Sequence, residues 1–135
     1  MQNFHNNNKY SEWSQLKAEL NHQKNSLLFK EREVWWCSVG VNVGEEENGK
    51  GQLFRRPVII FRKLTHSSFI GIPLTSKKKI GSWYVPVKIR DKFSYGMLNQ
   101  VRIWDSKRLS NRIYQLDRVF FKQLKIKFAN FYCEN

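Results

Sequence analysis

The heptapeptide Arg55-Arg56-Pro57-Val58-Ile59-Ile60-Phe61 admits few folds. Val58 to Phe61 is a β-branched and aromatic run, the composition of a buried strand. Pro57 has its φ fixed, donates no backbone hydrogen bond, and is expected at the first position of that strand. It also drives Arg56 into an extended conformation. A guanidinium is thereby held at the mouth of a core strand. Ahead of it lies a glycine-bearing acidic loop, Gly44-Glu45-Glu46-Glu47-Asn48-Gly49-Lys50-Gly51. A strand end beside such a loop is where binding and catalytic groups tend to sit, although a solvated strand-end arginine has the same local sequence.

Charge narrows the partners. The chain has 135 residues, enough for one domain with a real core, and a formal net charge of +13. Between Lys77 and Lys127 fourteen lysines and arginines face only Asp91, Asp105 and Asp117. Trp83, Tyr84, Phe93, Tyr95 and Trp104 are interleaved among them, which fits a polyanion-binding surface. An anionic membrane surface satisfies the same charge, but no apolar run is long enough to span a bilayer. Met1-Gln2-Asn3-Phe4-His5-Asn6-Asn7-Asn8 has no signal-peptide core, so a cytoplasmic chain is expected. Cys37 reads as a small core hydrophobe, and Cys37 and Cys133 allow one disulfide without resembling a disulfide framework. His5, His22 and His66 are scattered, and no metal or other cofactor is expected.

Residues 1–30 read as an N-terminal extension: a disordered start, then a helix capped by Ser11 with Trp13, Leu16 and Leu20 on one face. A first strand is expected over Glu33–Val41, a second from Val58 to about Arg62, and a hairpin through Thr65-His66-Ser67-Ser68 into Phe69–Leu74. Thr75-Ser76-Lys77-Lys78-Lys79 is a basic loop. Trp83–Ile89 follows as an edge strand marked by Pro86. A turn around Gly96 leads to a strand over Leu98–Trp104, then a tight helical turn at Asp105–Leu109 and a short strand over Arg112–Leu116. Asp117 caps a C-terminal helix with Phe120, Leu124 and Phe128 on one face, and its lysines at 122, 125 and 127 complement the helix dipole. Short strands, close turns and a closing helix predict a mostly β protein, a small antiparallel barrel.

Taken in order, five signals carry a resemblance. They are Glu33-Val34-Trp35-Trp36, Gly44-Glu45-Glu46, Arg56-Pro57-Val58-Ile59-Ile60, Ile72-Pro73-Leu74-Thr75-Ser76, and Gln100-Val101-Arg102-Ile103-Trp104-Asp105-Ser106-Lys107-Arg108-Leu109. Over residues 31–130 the chain resembles the PemK/MazF family of toxin endoribonucleases from type II toxin–antitoxin modules. That resemblance implies an SH3-like barrel of the CcdB/PemK type and a homodimer. It also implies metal-independent cleavage of single-stranded RNA at short sequences, and neutralisation by a cognate acidic antitoxin. Arg56, Thr75 and Glu46 fall on the family's catalytic positions. Arg56 would stabilise phosphate charge, Thr75 would hydrogen-bond the phosphate or relay a proton, and Glu46 would orient Arg56 or accept the 2′-proton. Ser76, Lys77, Lys78, Lys79, Trp83, Gln100 and Arg102 are the expected RNA-binding residues. Asn99 stands where some relatives carry an acid. That keeps open an inactive RNA-binding relative, beside a non-catalytic toxin that binds gyrase as CcdB does.

Overall fold

The computed structural model describes residues 28–40 and 55–133. The expected N-terminal helix, the acidic loop and Glu46 lie outside the described residues. Seven antiparallel strands and one helix are described: β1 (Glu33–Ser38), β2 (Arg55–Thr65), β3 (Ser68–Thr75), β4 (Tyr84–Ile89), β5 (Lys92–Met97), β6 (Arg102–Asp105), β7 (Leu109–Gln115) and α1 (Arg118–Cys133). The pairing runs β4-β5-β3-β2-β1-β7, with β6 joined to β3. Among the described residues the sheet does not close on itself. The mostly β fold expected is present as an open antiparallel sheet with a C-terminal helix packed on it.

β3 divides one of its edges between two partners. Ser68–Gly71 pair with β6, whereas Leu74 and Thr75 pair with Gly96 and Tyr95 of β5. The changeover falls at Ile72–Pro73, where proline has no N–H for a ladder. Its other edge is held by β2 along most of its length.

The continuous apolar run of β2 is explained by two cores. Ile59 and Phe61 enter one, with Val34, Ile72, Leu74, Val85, Leu98, Phe121 and Leu124. Val58 and Ile60 enter the other, with Phe29, Trp35, Cys37, Phe69, Trp104 and Leu109. Alternate side chains of one strand therefore face two different apolar clusters, each fully buried side chain contributing roughly 1.5–3 kcal/mol. Phe128 stacks on Phe61 at 4.2 Å between ring centroids, clamping α1 to β2. Asp117 caps that helix as expected, its Oδ2 accepting from the N–H groups of Val119 and Phe120. Phe121 and Leu124 are its most deeply buried residues, with Phe120 and Phe128 half-buried.

Several boundaries differ from the sequence expectation. β2 begins at Arg55, so Pro57 is its third residue. The described register pairs Arg55, Arg56 and Pro57 with β1 but opens towards β3 only at Val58. That first segment is locally an edge, and an edge tolerates proline. Gly96 lies inside β5, a strand the sequence reading missed, and not in a turn. A Cβ there would stand 3.3 Å from Ile72 Cγ2, so glycine answers a close approach of β3 and β5. Leu98–Gln100 form a 3-10 turn where a strand was expected, and the strand proper starts at Arg102. The tight turn before β7 is present as Ser106–Arg108, capped by Asp105 Oδ1 accepting from Lys107 N–H at 2.8 Å. Pro86 lies in β4, the end strand of the path, as an edge proline should.

Glu33 is the buried acid of the first strand, 2% exposed. Its Oε1 accepts from the Trp35 indole N–H at 3.0 Å and from the Lys30 N–H at 2.8 Å, and Oε2 faces Arg112 Nη1 at 3.1 Å. Burial pushes its pKa up, but these donors outweigh it and hold the carboxyl below the ordinary 4.5. A depressed carboxyl stabilises the fold fully above pH 4.5, and that contribution is lost as pH falls through the lower folded value. Glu33→Gln is expected to cost about 1–3 kcal/mol at neutral pH and to flatten the fall of Tm on acidification, as thermal melts from neutral to acidic pH will register. An unchanged acid limb would remove Glu33 as its source.

Candidate active site

The start of β2 and the end of β3 bring the two central residues together. Val58 pairs with Pro73, two residues after Arg56 and two before Thr75. Arg56 Nη1 donates to the Leu74 carbonyl at 3.0 Å, which fixes the guanidinium plane beside the backbone of Thr75. Both residues are 3% exposed. Thr75 Oγ accepts from the Lys77 N–H at 3.3 Å, turning the chain into the basic loop directly after the strand. A fixed guanidinium beside a fixed hydroxyl is a preorganised pair of donors for an oxyanion.

More arginine surrounds this pair. Cys37 is the cross-strand partner of Arg56, so the two side chains share one face of the sheet. Burial pushes the Cys37 thiol up to about 12, against the opposing pull of Arg108 and Arg102. Two guanidinium groups thus act on the buried thiol of Cys37, whose backbone pairs with Arg56. Arg108 Nη1 donates to the Ser38 carbonyl at 3.2 Å, and its own pKa is lowered, chiefly by burial. Arg102 lies on the face of Trp104, 4.0 Å from the ring centroid. Arg55 projects the other way, 5.3 Å from the Trp36 ring and 3.5 Å from Ser110 Oγ. Sequence reasoning passed over Arg55 and Arg108. Arg55 adjoins Arg56 in the same motif, and Arg108 closes the motif that begins at Gln100, so the signal was present.

The other expected RNA-binding residues occupy the neighbouring surface. Ser76, Lys77 and Lys78 are exposed on the loop that leaves Thr75, and Lys79 lies 6.0 Å from the Tyr84 ring centroid. Trp83 is 42% exposed, an aromatic face open to solvent. Its carbonyl accepts from the Leu98 N–H at 2.8 Å, which ties the loop to the turn carrying half-buried Gln100. Glu46 lies outside the described residues. Both cysteines are free, and no cluster of His, Cys, Asp or Glu among the described residues could hold a metal ion. No helix among them is long and apolar enough to cross a membrane.

An open, mostly antiparallel sheet with a C-terminal helix defines a small β fold with Arg56 and Thr75 near adjoining strand ends. Residues 30–132 match the family model of the PemK-like, MazF-like toxins of type II toxin–antitoxin systems, and the chain belongs to that family. Its members are known as endoribonucleases. Solved structures share the fold. MazF from Deinococcus radiodurans aligns with a TM-score of 0.63 at 15% identity, covering 80% of this chain and 99% of that one. An endoribonuclease in complex with its cognate antitoxin from a mycobacterial species aligns at 0.57 and 11% identity, covering 78% and 95%. A MazE–MazF complex from Deinococcus radiodurans aligns at 0.58 and 14% identity, covering 82% and 100%. Comparison with curated proteins gives no match.

Proposed function

We propose that this protein is a sequence-specific, metal-independent endoribonuclease of single-stranded RNA, acting as the toxin of a toxin–antitoxin module. The observation that carries this reading is the buried Arg56 guanidinium fixed against the Leu74 carbonyl, beside the backbone of Thr75. The 2′-hydroxyl oxygen attacks the adjacent phosphorus while its proton passes to a base. The bond to the 5′-oxygen breaks, and that oxygen takes up a proton. The products are a 2′,3′-cyclic phosphate and a 5′-hydroxyl. Arg56 and the Thr75 hydroxyl donate to the phosphate oxygens as their charge grows. Glu46 is assigned the 2′-proton on the family resemblance. An unperturbed guanidinium holds its proton too tightly to serve as that base.

Ser76, Lys77, Lys78, Lys79, Trp83, Gln100 and Arg102 are proposed to seat the flanking nucleotides by charge and stacking. A homodimer and an acidic antitoxin complete the assembly, the antitoxin matching the chain's net charge of +13.

The test is cleavage of a long single-stranded RNA by the purified protein in EDTA, with the new 5′ ends mapped. Discrete cuts at one short sequence, leaving 5′-hydroxyl ends, are expected. No cutting by the folded protein, with magnesium restored, would replace this reading by that of a binding toxin.

A further inference from the structure

α1 presents an unexplained charge pattern. Its sixteen residues include Arg118, Lys122, Lys125 and Lys127 and no acid. The expected role of the lysines, complementing the helix dipole, does not apply, because none lies in the last turn. Like charges three and four residues apart on one helix repel each other. Arg118, Lys122 and Lys125 line the same face of α1, and that face borders a groove.

The groove consists of two adjoining cavities of about 520 and 480 Å³ that share Glu31 and Lys125. Its cations are Arg32, Arg62, Lys63, Arg118, Lys122 and Lys125, and its one carboxylate, on Glu31, accepts from the Lys63 N–H at 2.9 Å. Arg32 Nη1 donates to the Leu116 carbonyl at 2.9 Å, and Lys63 Nζ donates to the Phe29 carbonyl at 3.1 Å. These two bonds hold the walls in place. Arg62, Arg118 and Lys122 are exposed along the rim. The aromatic rings beneath, Phe61 and Phe121, are 8% and 5% exposed. With Phe128 half-buried beside them, these rings form a floor under a rim of six cations and one carboxylate, and that excess of positive charge suits a chain of phosphates. Arg62 lies six residues along β2 from Arg56, roughly 20 Å at a strand's rise, so this surface is separate from the arginine–threonine site.

We infer that this groove binds the sugar–phosphate backbone of single-stranded RNA outside the cleaved motif. The inference rests on the proposed nuclease function for its substrate. Substrate gripped there is longer than the motif, so the groove selects long RNA over short without reading bases.

The test compares the parent with Arg62→Ala/Lys122→Ala, both side chains being exposed. Binding of a fluorescein-labelled single-stranded RNA, several times longer than the motif and with the scissile 2′-oxygen removed, is followed against salt. KM and kcat are measured on the long RNA and on an oligonucleotide carrying the motif alone. The slope of log K against log salt should fall by about 0.7 for each cation removed. KM on the long RNA should rise several-fold with kcat unchanged, the motif-only oligonucleotide should be cut as by the parent, and Arg62→Lys/Lys122→Arg should restore the long-RNA KM. Unchanged slope and KM in a parent that cuts RNA would overturn the groove alone. So would unaltered RNA binding combined with lost binding of poly-glutamate, which assigns the groove to an acidic protein. A parent that binds RNA with this groove-dependent slope but never cuts it would overturn the nuclease reading and leave the groove standing.

Discussion

Arg56→Ala is expected to lower RNA cleavage by about 10²–10³-fold, the loss typical of removing one oxyanion donor. Arg56 also holds the Leu74 carbonyl from a buried position, so alanine removes a structural bond along with the catalytic one. Loss of that charge-assisted bond is expected to cost about 1.5–3 kcal/mol. Activity must therefore be compared below the variant's melting transition, with near-ultraviolet circular dichroism confirming that the fold persists. Arg56→Lys separates the two contributions. Lysine keeps the charge but not the fork of donors, so it should recover part of the stability and little of the cleavage. A folded Arg56→Ala protein that cuts RNA at the parent rate would move the active site elsewhere.

Gly71→Ala is expected to be the most disruptive single-methyl change in the described core. A Cβ at this position would stand 2.6 Å from Val58 Cγ1 and 2.6 Å from Trp104 Cδ1, and neither side chain has room to withdraw from its buried cluster. Overpacking of this kind costs about 1–3 kcal/mol. The effect should reach the site as well, because Arg102 lies on the displaced Trp104 ring. Thermal melts should show a lowered Tm, and Gly71→Ala should cost less in a Trp104→Ala background than in the parent, the two changes being coupled through the indole. Melts of Gly71→Ala that coincide with those of the parent would mean that the indole does not lie against β3.

The most legible elements were those whose local chemistry agrees with their tertiary setting. Val58-Ile59-Ile60-Phe61 reads as a buried strand from its composition alone, and the structure buries it on both faces. Asp117 reads as a cap because its carboxylate meets the next free N–H groups. β5 was illegible for the opposite reason. Lys92-Phe93-Ser94-Tyr95-Gly96-Met97 is partly polar and carries a glycine that reads as a turn, whereas Gly96 answers the proximity of Ile72, distant in sequence. The start of β2 was also placed too late, since nothing local reveals that Arg55–Pro57 pair only with β1. At the site, the motifs named Arg56 and Thr75, and the Arg56 bond to the Leu74 carbonyl sets the guanidinium beside the backbone of Thr75. The gathering of Arg102 and Arg108 about Cys37 depends on contacts between β1, β6 and the turn before β7, which no linear pattern encodes.

The divided edge of β3 bears on the order in which this chain emerges from a ribosome. Thr75 is held by β5, and the other half of its strand has no outer neighbour until β6 has been made. The helix that clamps β2 comes last. Pairings between segments so far apart in sequence form late and together. A nascent or truncated chain ending before β6 would hold Arg56 and Thr75 without the framework that aligns them.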